Sequence, residues 1–123
     1  MRLHKSTMPI VIPALRDPEH WRLLGEGEGA WVFLLGGSVD SVAEGVARLQ
    51  KRHWRVFVHV DMVKGIANDS EGLRFFHDYA APDGIISTHS HTVSNAVKLG
   101  MLAIQRIFLI GAFCAVVDLR ELA

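Results

Sequence analysis

Five short apolar runs punctuate the chain, at residues 10–15, 31–35, 56–60, 84–87 and 101–110. Most are unbroken rather than alternating, which is the pattern of strands covered on both faces, as in a parallel sheet with helices packed against it. Helical spacing fills the gaps between them. Ser41 followed by Glu44 has capping-box spacing,. Val42, Val46 and Leu49 then share a face, and Arg48, Lys51 and Arg52 crowd the last turns, where cations suit the helix dipole,. Asp69 or Ser70 is placed to cap a second helix, with Leu73, Phe76 and Tyr79 or Ala80 inward,. Ser90 or Thr92 is placed to cap a third, with Val93, Ala96 and Val97 inward and Gly100 as its terminator,. Residues 17–29 read as a short helix around Trp21, Leu23 and Leu24, then a flexible Gly/Glu loop. The order β, weak α, β, α, β, α, β, α, β implies right-handed crossovers and an α/β fold with a parallel sheet.

Composition narrows this reading. With 123 residues the chain fits one domain, and half of it is apolar,. Thirteen Lys and Arg balance thirteen Asp and Glu, so a polyanion partner would require a local basic patch,. The densest one is Arg48, Lys51, Arg52 and Arg55, although a solvated helix end has the same composition,. The single cysteine, Cys114, excludes an internal disulfide and suits a reducing cytosol,. No apolar stretch approaches the roughly 18 residues of a membrane span. Near the start, Pro9 and Pro13 bracket too short an apolar run for a signal peptide,.

In parallel sheets, ligands bind at the carboxyl ends of strands, and the polar residues gather there. The third run ends in His59 and Asp61, with Phe57, His59 and Asp61 on one face by strand alternation and Val56, Val58 and Val60 on the other,. Such a pair suits hydroxyl binding, metal ligation, proton transfer, or structural support of one residue by the other. Lys64 adds a positive charge in the following loop. The fourth run ends in Ser87 and Thr88, which offer either ligand hydroxyls or helix capping, followed by His89 and His91,. The fifth run contains Gln105 and Arg106, of which only one can face a site unless a bulge intervenes,. A buried Arg106 requires a carboxylate such as Asp61, or a bound anion. A metal-dependent or acid/base enzyme using His59, Asp61, His89 and His91 is the competing possibility, weakened by the lack of an obvious fourth protein ligand.

Four blocks, His59-Val-Asp-Met-Val-Lys-Gly65, Asp69 with Gly72, Asp83-Gly-Ile-Ile-Ser-Thr88 and Ile104-Gln-Arg-Ile-Phe-Leu-Ile110, resemble the glycerol-3-phosphate-responsive antiterminator family. The resemblance runs from about residue 10 to 110. It implies a TIM-like (β/α) barrel, here incomplete with about five strands, and a regulator that binds a leader transcript of glycerol-utilisation genes in response to glycerol 3-phosphate. It implies no catalysis and no cofactor beyond that effector. It also implies that His59, Asp61, Ser87, Thr88, Gln105 and Arg106 line or support the effector pocket, with Pro13, Ala14 and Arg16 at its border. Charge logic adds Lys64 or Arg106 for the phosphate. His89 stands where the resemblance leads one to expect Lys or Arg.

Residues 111–123 depart from the family pattern and read as a divergent tail with a short strand and a turn of helix, as a truncation or frameshift would give. Residues 1–110 would then be the amino-terminal portion of such a barrel, holding about half of its pocket. An open sheet of this kind is expected to expose edges and one apolar face, and so to self-associate.

Overall fold

A computed structural model describes residues 11–108 and 114–118. Its eleven strands and helices, in chain order, are β1 (Ala14–Leu15), β2 (Trp31–Leu34), β3 (Gly37–Ser38), α1 (Val39–Lys51), β4 (Arg55–His59), β5 (Val63–Lys64), α2 (Ser70–Ala80), β6 (Gly84–Ser87), α3 (Ser90–Lys98), β7 (Leu102–Phe108) and β8 (Cys114–Asp118). Short 3-10 helices occupy Pro18–Leu23 and Val60–Met62. The main sheet has the order β1-β2-β4-β6-β7-β8. Its first five strands are parallel, and β8 runs antiparallel to β7. A second small sheet pairs β3 with β5.

The expected α/β alternation is therefore present, and the barrel is not closed. The tail contributes the short strand expected of it, but the antiparallel direction of β8 breaks the βα pattern. The turn of helix expected beyond it falls outside the described residues, as do Ile10 and residues 109–110 of the first and last apolar runs.

Two cores follow from burial on both faces of the strands. On the helix side, Val32, Leu34, Val56, Val58, Ile85 and Ala103 pack against Val42, Val46 and Leu49 of α1, Leu73 and Phe76 of α2, and Val93 and Ala96 of α3. On the inner face, Trp31, Phe57, Ile86, Leu102 and Ile104 form a second cluster, with Ile12 and Phe33 against it. This corrects the expectation of an open apolar face. The five residues of the inner cluster are all buried, at most 8% exposed. The aromatic rings lie across one another, with Trp31 and Phe57 centroids 4.8 Å apart and Phe33 and Phe57 5.8 Å apart. They cover area that isolated aliphatic side chains would leave open. One sheet edge, β1, is only two residues long, a length that limits edge-to-edge pairing,.

Local signals differ from expectation in instructive ways. Ser38, not Ser41, caps α1, its hydroxyl accepting from the Ser41 N–H at 3.2 Å. Asp69 caps α2 through the Gly72 N–H at 2.7 Å. In that helix Ala80 faces inward, while Tyr79 faces out and its hydroxyl donates to Asp40 of α1. Neither Ser90 nor Thr92 caps α3; His89 holds the cap position and makes no side-chain capping bond. Gly100 ends that helix as expected, at φ 85°,. The loop at residues 25–29 is pinned rather than flexible: Gly27 and Gly29 N–H groups donate to the Arg52 and His53 carbonyls, and the Trp54 indole donates to the Gly25 carbonyl.

Gly84 opens β6 where no side chain fits. A Cβ there would lie 2.6 Å from the Phe57 ring and 2.8 Å from the Leu102 carbonyl. Gly84→Ala is expected to destabilise the protein by about 1–3 kcal/mol through overpacking, read as a lower urea midpoint with an unchanged slope. An unaltered midpoint would contradict the strand packing described here.

Candidate ligand-binding site

The carboxyl ends of β4, β6 and β7 bring most of the candidate residues together. His59 is the last residue of β4 and is 3% exposed. Its Nε2 lies 3.5 Å from Arg106 Nη1, at the outer limit of a hydrogen bond. A guanidinium only donates, so Nε2 is the acceptor and the neutral ring carries its proton on Nδ1. That Nδ1 is buried and makes no well-formed hydrogen bond among the described residues. Burial holds the His59 pKa below its ordinary value; the charge of Asp61 and the contact of the ring with its own backbone oppose the shift, and the charge of Arg106 reinforces it.

Strand alternation separates Arg106 from Gln105. Leu102 and Ile104 belong to the inner cluster and Ala103 to the helix-side core. Arg106 therefore continues the inner face toward His59, and Gln105 points to the helix side. The structure does not bring Gln105 to His59.

Asp61 does not continue the β4 face, because the chain leaves the strand at His59 and enters the Val60–Met62 turn. That turn directs its carboxylate at the end of β6. Oδ1 accepts from the Ser87 hydroxyl at 2.7 Å, and Oδ2 accepts from the Thr88 N–H at 2.8 Å and the Thr88 hydroxyl at 2.9 Å. Ser87 Oγ in turn accepts from the His89 N–H at 3.0 Å. Partial burial would raise the Asp61 pKa, but the Thr88 amide, the two hydroxyls and the nearby His59 outweigh it, so the pKa is lowered. Asp61, Ser87 and Thr88 thus form a clamp joining the end of β4 to the loop entering α3. Asp61 is committed to this clamp rather than to Arg106.

Lys64 lies on β5, in register with Ser38 of β3, and is exposed. A polar cleft of about 160 Å³ opens beside the clamp. Asp61, Asn68, Asp69, His89, His91 and Asn95 contribute its polar lining, and Thr92 its floor at the first turn of α3. Sequence reading missed Asn68 and Asn95 and treated Asp69 only as a cap; no local pattern singles out the two asparagines.

The enzyme alternative loses its footing here. The His89 and His91 rings are 5.7 Å apart and exposed, whereas His59 is buried against a guanidinium. Among the described residues no three His, Cys, Asp or Glu side chains are arranged to hold a metal ion. The four residues therefore do not form one donor set.

Of the basic residues, Arg48, Lys51 and Arg55 are exposed and Arg52 is half-buried. They lie where α1 ends and β4 begins, at the opposite end of the strands from His59. Among the described residues no helix is long and apolar enough to cross a membrane.

Comparison with known proteins agrees with this architecture. Residues 11–117 match the family described as glycerol-3-phosphate responsive antiterminator. The solved structure of a glycerol uptake operon antiterminator regulatory protein from Listeria monocytogenes str. 4b F2365 superposes with a TM-score of 0.76 at 30% identity, covering 89% of this chain and 60% of that one. A glycerol uptake operon antiterminator-related protein from Thermotoga maritima MSB8 gives 0.68 at 31% identity, over 82% of this chain and 56% of that one. The Escherichia coli (strain K12) protein YgcP is 27% identical over 108 residues, 88% of this chain and 56% of its own length. The chain thus spans 56–60% of the length of these relatives.

Two consequences are measurable. Asp61→Asn is expected to cost about 1–3 kcal/mol, because it turns an amide N–H toward groups that themselves donate; urea unfolding checks this, and an unchanged midpoint contradicts the clamp. The lowered pKa of His59 means that the unfolded chain binds more protons between the folded pKa and about 6.5. His59 therefore contributes stability that is complete above that window and is lost as pH falls through it. The difference in melting temperature between wild type and His59→Asn is expected to shrink on acidification from neutral pH; a constant difference contradicts the buried neutral imidazole.

Proposed function

The chain belongs to the glycerol-3-phosphate responsive antiterminator family, and on that premise we propose that it binds glycerol 3-phosphate at the carboxyl ends of β4, β6 and β7 and acts as a regulator of leader mRNA rather than as an enzyme. The observation that carries this reading is His59. Its buried Nδ1–H makes no well-formed hydrogen bond among the described residues, which costs about 1–3 kcal/mol unless a ligand oxygen supplies an acceptor. A polyol phosphate offers hydroxyl oxygens to that donor and an anion to Arg106. Lys64, exposed on β5, adds a second cation at the same end of the sheet. The Asp61–Ser87–Thr88 clamp holds the strand ends in place, so its contribution is to position rather than to touch the ligand. Gln105 supports the pocket from the helix side. Such a regulator works in the cytoplasm, where its transcript and effector both are.

Calorimetric titration with glycerol 3-phosphate tests the proposal. Saturable heat is expected, with affinity reduced about 10- to 150-fold in Arg106→Ala, as loss of a hydrogen bond to a charged group implies. Absence of saturable binding by the wild type would overturn it.

A further inference from the structure

The Pro18–Leu23 helix and the end of α1 build a cationic cluster around one indole. The guanidinium carbons of Arg22, Arg52 and Arg48 lie 4.9, 5.0 and 5.4 Å from the centroid of the Trp21 ring. Trp21 itself is 8% exposed. A ring has two faces for cations, and three guanidiniums so placed sit within about one Debye length of each other, ~10 Å at 0.1 M salt. Their mutual repulsion is therefore poorly screened. Among the described residues no carboxylate lies within ion-pair distance of any of the three. Glu44, one turn before Arg48 on α1, does not reach it, and Glu26 of the neighbouring loop is held by His53 at 2.7 Å.

The three arginines do not play the same part. Arg52 is half-buried, and its Nη1 donates to the Leu24 and Trp21 carbonyls, so it ties the 3-10 helix to α1. Arg22 and Arg48 are exposed residues whose guanidiniums lie against the indole, which orders them at the surface. A preordered pair of guanidiniums is suited to phosphate oxygens, which accept two parallel N–H bonds. Lys51 and Arg55, both exposed at the same end of the molecule, extend the cationic surface.

We propose that Arg22 and Arg48, mounted on Trp21 and Arg52, form a phosphodiester-binding surface that contacts the backbone of RNA. This inference rests on the RNA-directed reading given above and adds its location. The contact set differs from the sequence cluster Arg48, Lys51, Arg52 and Arg55: Arg22 joins from a distant segment, and Arg52 serves the scaffold. The surface also lies apart from the effector site. The thirteen residues of α1 lead from the carboxyl ends of the strands to this cluster, a distance of about 20 Å at 1.5 Å per residue.

The test compares wild type with Arg22→Gln/Arg48→Gln, both positions being exposed and outside the effector site. Binding of a fluorescein-labelled single-stranded RNA of mixed sequence is followed by anisotropy across a salt series. The slope of log affinity against log salt is expected to fall by about 0.7 for each arginine removed, with at least a tenfold loss of affinity at low salt. Glycerol 3-phosphate binding and melting temperature are expected to stay at wild-type values. Wild-type RNA binding with an unaltered slope in the double variant would overturn the location alone. No RNA binding by the wild type would overturn the location together with the RNA-directed reading, and would do so equally if the arginines instead proved to bind anionic lipid vesicles.

Discussion

A parallel sheet is covered on both of its faces, so both must be apolar. Here that demand is met by two unequal layers. Valine, leucine and isoleucine side chains face the helices, and a smaller set dominated by Trp31 and Phe57 faces inward. With both faces apolar, polar side chains are confined to the points where strands stop. His59 is the end of β4, Ser87 is the end of β6, and Arg106 lies near the end of β7. The chemistry gathers there because the rest of the sheet excludes it.

Once gathered, the polar groups divide their tasks. Asp61 is satisfied by three donors from Ser87 and Thr88 and joins two strand ends into one body. His59 and Arg106 lie on the inner face next to it, where burial lowers the imidazole pKa and the guanidinium, able only to donate, faces Nε2. A carboxylate already committed to hydroxyls and an amide makes a poor metal ligand, and a neutral imidazole with a free N–H makes a good donor to a polyol.

Much of this was legible in the sequence. Unbroken apolar runs identified the five parallel strands, and the strand-end rule selected His59, Asp61, Ser87, Thr88 and Arg106. What escaped depended on backbone direction at single residues. Strand alternation alone places Asp61 on the β4 face, but the chain turns after His59. Ser41 looked like the cap of α1 because its spacing to Glu44 fits, yet Ser38 holds that position. The choice between Gln105 and Arg106 needed the register of β7, which only the packing of Leu102, Ala103 and Ile104 decides. Arg22 was invisible as part of a basic surface because its partners lie some 26 residues on and are brought to it by Trp21. The antiparallel course of β8 carries no local signature, since direction is set by pairing rather than by the strand itself.

The central claim is that His59 is a buried, neutral donor poised for a ligand oxygen. Nitrogen NMR of the histidine rings tests it most directly. At neutral pH the account predicts a His59 signal of the Nδ1–H tautomer that shifts saturably when glycerol 3-phosphate is added. A charged ring, the Nε2–H tautomer, or a signal indifferent to the ligand would contradict it.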